Sequence, residues 1–443
     1  DENAMGKITI QKTDKENGDP ISGAVFEVKA AKDIITPDGT IRVTKGEVVD
    51  TLTTVNGTAT TKTLFLGNYD VVEIKSAPGY VLNKKAYQVE LKYKDQNTAI
   101  VTESVAIKNK PTEIELLKVD DETEEPMEGV TFRIWQKPTA DQGNQPVFDQ
   151  EFTTNEKGII NVKRLHPGTY FIQEIKTLPG YVLNDKIMEL TIDKDGFIDG
   201  EEKAEIILGN NFTKVDLSKH DLTTGKEIEG GKYQVLDPDG KVVDEWTGTK
   251  EPHRITRLEI GKTYLFREIV APYGYLLTLD VEFTVENTGE VQKVEMFDEL
   301  AMGTITVQKT DKETKDPISG AVFEVKAVED IVTPDGTTRV KKGEVVDTLT
   351  TDKGFATSKP LFLGKYEVIE TKAAPGYIKG DKVYNVELKY KDQNTPVVTE
   401  TVEVTNVPTT VIIEKVEKGS KKPLKGVTYK IWNQAMESQL DGN

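Results

Sequence analysis

The sequence predicts an all-β protein made of small sandwiches in tandem. Three observations carry this reading. Apolar residues alternate at period two through most of the chain, turn-forming residues punctuate the alternation, and one block returns at a fixed interval. GKITIQKTDKE at 6–16 reappears as GTITVQKTDKE at 303–313, and DENAMG at 1–6 as DELAMG at 298–303, an offset of 297 residues. A shorter pattern recurs three times within that unit, so one domain takes about 100 residues, the usual size of one sandwich.

In the first domain ITIQKTD, GAVFEVKA, LGNYDVVEIK, AYQVELKY and TESVAIKN read as strands. NGDPISG, TPDGT, VNGT and APGY read as the turns between them. No amphipathic helix of useful length is legible, and the insertions at 30–50 and 140–150 have room for a short turn. TPDGTIRVTKGEVVDTLTT at 36–54 reads as an enlarged hairpin or loop. It is the best candidate for ligand contact, because loops tolerate variation and carry function.

The repeat divides the chain into residues 1–5, the tail of a preceding repeat, and domains at 6–111, 112–213, 214–301 and 302–408. Residues 409–443 begin a fifth domain like the second and stop after its second strand. The chain therefore reads as a cut from a longer array. Its joints (NKPTEIE, NNFTKVD, DELAMGT and NVPTTVI) are short, which predicts a stiff, monomeric rod whose repeats contact their neighbours.

Alternation also fixes which side chains face inward, because residues two apart share a face. Ile8 and Ile10 put Lys12 inward, Tyr69 and Val71 put Glu73 inward, and Val105 and Ile107 put Asn109 inward. The same parity selects Lys118, Glu174 and Asn210; Lys219, Glu268 and Asp298; and Lys309, Glu370 and Asn406. Asn210 is preferred to Asn211 because Glu73 to Asn109, Glu370 to Asn406 and Glu174 to Asn210 are equally spaced. Such a buried group is costly unless its members are paired or react. Burial depresses a lysine pKa by up to about 3–5 units, which supplies a neutral amine nucleophile. The same logic keeps a glutamate protonated. The expected roles are lysine as nucleophile and glutamate as the group that hydrogen-bonds and polarises the asparagine side-chain carbonyl. The product is an isopeptide bond, with loss of ammonia at asparagine and of water at Asp298. No cofactor or metal is needed.

The chain has 443 residues, 57 Lys+Arg against 75 Asp+Glu, a formal net charge of −18 and no cysteine. The acidity disfavours nucleic acid and anionic membranes as partners. No apolar run is long enough to span a bilayer, so no membrane insertion is expected. Total absence of cysteine fits an exported protein stapled by other means. No signal peptide or sorting motif is legible.

These residues resemble the Cna protein B-type domain family, also called SpaA-like or prealbumin-like, of Gram-positive surface adhesins and pilins. The resemblance rests on KTDKENGDPISGAVFEV, LFLGNYDVVEIKSAPGY and VAIKN in the first domain. The second repeats them as KVDDETEEPMEGVTFRI, LHPGTYFIQEIKTLPGY and IILGN. The third has KHDLTTGKEIEGGKYQV, EIGKTYLFREIVAPYGY and VEMFD. It departs from the pattern in its aspartate, which the family also uses, in APYGY for APGY, and in a shorter body. The resemblance implies Ig-like, prealbumin-like sandwiches and autocatalytic Lys–Asn/Asp bonds catalysed by Glu73, Glu174, Glu268 and Glu370. It further implies an extracellular stalk segment on a bacterial surface, anchored to the wall through a region outside this sequence. A second reading is a binding module that recognises host matrix or glycan through its loops. An enzyme acting on other molecules is disfavoured, since no nucleophile–histidine pair, metal set or phosphate loop is legible.

Weaker signals read as structure. DKDGFIDGEE at 193–202 lacks the glycine position of a calcium loop and reads as a hairpin turn. DDETEEPME at 120–128 reads as a solvated loop, and His166, His220 and His253 show no ligand spacing. Trp135 and Trp432 are equivalent positions and read as structural. Lys415 lacks a glutamate and asparagine of its own; completion by another chain is the alternative to simple truncation.

Overall fold

The computed structural model describes residues 2–137 and 148–431. Among these residues there is no helix, and the strands form paired sheets that face each other across four separate cores. In the first sandwich, strand Met5–Asp14 alternates buried and less buried residues, as its period-two sequence requires. It pairs in parallel with the last strand, Ile100–Asn109, and antiparallel with Thr58–Thr60 and Leu64–Phe65. The facing sheet runs Val48–Thr53, Val25–Ala30, Gly67–Lys75 and Ala86–Leu91, all antiparallel. Ile8, Ile10, Phe26, Val28, Tyr69 and Val71 fill the space between the sheets.

The L-x-x-G-x-Y block has a local reason. The Tyr69 hydroxyl donates to the Phe65 carbonyl at 2.6 Å, pinning the turn that feeds Gly67–Lys75. Tyr170 does the same to His166 at 2.9 Å and Tyr366 to Phe362 at 2.7 Å. Each buried ring thus keeps its polar tip satisfied.

The other sandwiches repeat the scheme. Their first strands, Glu113–Asp120, Lys214–Asp221 and Met302–Asp311, each lie parallel and adjacent to their last, Ala204–Asn210, Val291–Asp298 and Val397–Asn406. The first and fourth carry an extra two-stranded ribbon, Ile34–Ile35 with Ile41–Val43 and Ile331–Val332 with Thr338–Val340. That ribbon is what the enlarged segment at 36–54 begins with; its remainder is the edge strand Val48–Thr53.

Residues 409–431 depart from expectation. They repeat the alternation of the second domain yet form no strand, and Val411, Ile412 and Ile431 are exposed. The reason is pairing. The counterpart of this segment, Glu113–Asp120, is held between Ile159–Lys163 and Ala204–Asn210, and among the described residues no strand pairs with 409–431. Lys415 is accordingly exposed. Trp432 and most of the 140–150 insertion lie outside the described residues. The 193–202 segment is a hairpin turn, closed by the Phe197 and Asp195 amides on Asp193 Oδ1 at 2.9 Å each.

Candidate cross-linking site

Each sandwich buries one lysine, one glutamate and one asparagine or aspartate at the same place. Lysine and amide come from the adjacent parallel strands of one sheet, and glutamate from the middle of the other. In the first, Asn109 pairs in register with Asp14, two residues past Lys12, so both side chains enter the core on one face. Lys12 is 0 % exposed, Glu73 3 % and Asn109 1 %.

Lys12 Nζ donates to Glu73 Oε2 at 3.0 Å and to Asn109 Oδ1. Asn109 Nδ2 donates to Glu73 Oε1 at 2.9 Å. In the second sandwich Lys118 Nζ lies 2.6 Å from Asn210 Oδ1 and 3.1 Å from Glu174 Oε2. Asn210 Nδ2 donates to Glu174 Oε1 and, at 2.8 Å, to Thr177 Oγ1. Asn211 is exposed. In the fourth, Lys309 Nζ donates to Asn406 Oδ1 and lies 3.4 Å from Glu370 Oε1, which accepts from Asn406 Nδ2 at 2.7 Å. In the third, Lys219 Nζ contacts Asp298 Oδ1 and lies 3.3 Å from Glu268 Oε1.

One expected contact differs. The glutamate faces the asparagine Nδ2, not its carbonyl oxygen, which the lysine Nζ holds instead. The amide thus turns its N–H₂ donors to the glutamate oxygens and its carbonyl acceptor to the lysine Nζ donor.

Burial is the main force on the lysines. It holds the Lys12, Lys118 and Lys309 ammonium groups below the ordinary lysine range, against the opposing pull of Glu73, Glu174 and Glu370. Burial likewise pushes Asp298 up to about 7; Lys219 opposes this and Glu268 adds to it.

Two contributors escaped the sequence reading. A backbone amide ten residues past the glutamate donates to its Oε2: Asn83 at 3.0 Å, Thr278 at 3.0 Å and Gly380 at 2.8 Å. An aromatic ring fourteen residues past the lysine walls the Nζ, with Phe26 at 5.2 Å, Tyr233 at 6.0 Å and Phe323 at 5.6 Å from ring centre. The constant spacing of that ring was legible; the amide donor carries no side-chain signal.

The family model described as SpaA: prealbumin-like fold domain matches residues 6–106, 112–204, 213–300 and 303–403. No curated protein matches the chain. Among solved structures, the Bacillus anthracis TIE protein is similar at 20 % identity and TM-score 0.44, over 91 % of this chain and 74 % of that one. BcpA, the major pilin subunit of Bacillus cereus, is similar at 16 % identity and TM-score 0.37, over 67 % of this chain and 99 % of its own. The major pilin SpaD of Corynebacterium diphtheriae shares 16 % identity at TM-score 0.28, over 68 % and 97 %. With four matched stretches taking in most of its length, the chain belongs to the SpaA family of prealbumin-like fold domains.

Proposed function

We propose that the chain is a stalk segment of a Gram-positive cell-surface adhesin or pilus-like protein, stiffened by self-formed isopeptide bonds. The observation that carries the reading is the fourfold burial of Lys, Glu and Asn or Asp, with the reacting pair on the first and last strands.

The chemistry needs a neutral amine, and burial of Lys12, Lys118 and Lys309 favours one. Lys12 Nζ attacks Asn109 Cγ. Glu73 takes up, at Oε2, the proton that Nζ sheds, and the carboxyl then passes that same proton to the departing Nδ2, which lies beside its other oxygen. The Nζ–Cγ bond forms, the Cγ–Nδ2 bond breaks and ammonia leaves. In the third domain Lys219 condenses with Asp298, whose raised pKa favours the neutral acid, and water leaves. Each event is a single turnover within one molecule, with the sandwich holding the reactants together.

Intact mass under denaturing conditions tests this. A deficit of three ammonias and one water is expected. The full unmodified mass would leave four buried ion pairs and no cross-link.

A further inference from the structure

Each joint between sandwiches is closed by a guanidinium set into an aspartate–tyrosine socket. At the first joint Arg164 Nη2 donates to Asp14 Oδ2 at 2.7 Å, and the Tyr80 hydroxyl donates to the same oxygen at 3.1 Å. At the second, Arg257 Nη2 reaches Asp120 Oδ2 at 3.1 Å, beside Tyr181 at 2.8 Å. The aspartate always stands two residues after the cross-linking lysine, and the tyrosine ends the P-G-Y or P-Y-G-Y block.

At the third joint the arginine changes origin. The socket is Asp221 with Tyr275 at 3.0 Å, but Arg339 comes from the ribbon of the fourth sandwich, its Nη2 3.5 Å from Asp221 Oδ1. The loop Ala271–Leu277 then lies along that ribbon face. The Tyr273 ring packs edge-on against Tyr390 at 4.9 Å. Gln393 accepts from the Ala271 amide through Oε1 and from the Leu277 amide through its carbonyl, both at 2.9 Å. The Tyr390 hydroxyl donates to the Tyr275 carbonyl at 3.0 Å.

The first sandwich carries the same face, uncovered. Pro37, Arg42, Phe65, Tyr93 and Gln96 stand where the fourth has Pro334, Arg339, Phe362, Tyr390 and Gln393. The Arg42 side chain is 35 % exposed against 10 % for Arg339, and Asp38 is 55 % exposed against 0 % for Asp335. A cleft of ≈ 620 Å³ opens between Pro37, Phe65 and Tyr93; at the covered joint, with Tyr273 and Gly274 seated there, ≈ 220 Å³ remains.

We propose that this face of the first sandwich is a docking surface for a domain of the third type, carried by another repeat of the same unit. The occupant is a loop with the chemistry of Ala271–Leu277 together with an Asp221-type socket. Domains of the first and second types do not fit as well. Their P-G-Y blocks lack the extra tyrosine that would cover Tyr93. The arginines that fill their sockets, Arg164 and Arg257, sit just before the L-x-x-G strand in left-handed conformation (φ 61° and 62°). The first sandwich has Thr63 there and the fourth Pro360, and both carry the ribbon arginine instead. The entering chain matches as well, with Glu2, Ala4 and Met5 in the places of Glu299, Ala301 and Met302. This docking face follows from the repeat, whether or not the lysines react.

The chain has no cysteine, so introduced cysteines carry spin labels without background. The test is the full chain with a second copy of residues 214–297 placed directly before Asp1. Labels at Lys241 of the added copy and at Lys45 report the new joint; labels at Lys241 and Lys342 report the internal one. The two distance distributions are expected to share centre and width, and Arg42→Ala with Tyr93→Ala should broaden only the new one. A broad distribution at the new joint, a broad one at both joints, or insensitivity to the double substitution would each overturn the proposal.

Discussion

Lys12 and Asn109 are 97 positions apart in the chain yet diagonal neighbours on one sheet face, because Asn109 pairs in register with Asp14 on the adjacent parallel strand. The strand bearing Lys12 is where the chain enters the sandwich, and Asn109 is where it leaves. A bond between them would carry tension straight through, shielding the sandwich interior from load. It would also close a loop of about 100 residues, which by analogy with a disulfide stabilises by about 4–5 kcal/mol.

Glu73→Gln should abolish the first bond and no other. The carboxyl hydrogen-bonds both the Lys12 Nζ and the Asn109 Nδ2, and a glutamine cannot take up and return a proton. Denaturing mass spectrometry should show one ammonia regained, and the first sandwich should lose about 4–5 kcal/mol of stability on the loop argument. An undiminished deficit of three ammonias and one water would remove Glu73 from the chemistry.

The pH dependence of bond formation should differ in shape between domains. Lys12, Lys118 and Lys309 have lowered pKa values, so their neutral fraction, and the rate, rises with pH. Asp298, raised to about 7, is neutral below that value, so above it the loss of neutral acid should offset the gain in neutral amine, and the Lys219–Asp298 condensation should level off where the other three still rise. The same shifts govern stability before reaction. A lowered lysine destabilises the fold as pH falls, since the unfolded chain binds its proton more tightly; a raised Asp298 stabilises it in acid and loses that contribution above about 7. Refolding unreacted chain at several pH values and digesting to quantify each cross-linked peptide reads the rates separately. Parallel profiles in all four domains would contradict this.

The strands and the inward set were legible because the period-two pattern and the fixed Glu-to-Asn spacing are local facts of the chain. Asn210 rather than Asn211 followed from that spacing. The joints were not legible. Asp14, Tyr80 and Arg164 lie in three distant segments, and each looks by itself like an ordinary turn or edge residue. The 193–202 turn is similar: its Asp195 carbonyl accepts from the Leu82 amide of the preceding sandwich at 2.7 Å, which no pattern announces. Alternation misled at 409–431, where it specifies a strand only if neighbouring strands exist to pair with it. The amide orientation at Glu73 was invisible because an asparagine offers donor and acceptor at the same end.

Gly180→Ala should loosen the second joint. Gly180 has φ 79°, and a Cβ there would lie 2.4 Å from the Arg257 carbonyl oxygen of the next sandwich. Gly129 is the control: its φ is 85°, but its Cβ would meet only Leu178 Cδ2 at 3.5 Å. Both changes carry the left-handed strain of about 1–2 kcal/mol, so only Gly180→Ala should also broaden the label distance across the joint. Equal effects of the two would mean that the close approach plays no part.

Acid should open the joints before it unfolds the sandwiches. Asp120 is buried, which alone would raise its pKa, but hydrogen bonds from the Glu122 and Thr123 amides, Tyr181 and Arg257 outweigh this and hold it below 3.8. Asp14 is held down in the same way by Arg164, the Glu16 and Asn17 amides and Tyr80. With a depressed folded pKa, the contribution is complete above the ordinary aspartate value and is lost as pH falls through the lower one. Protonation removes the charge that Arg257 and Arg164 bind, so their sockets empty together. Labels at Lys186 and Lys262 should give a narrow distance distribution at neutral pH that broadens only in strong acid, while circular dichroism stays unchanged. Asp120→Asn should broaden it already at neutral pH and abolish the acid step. An acid step that survives in Asp120→Asn would assign the opening to another group.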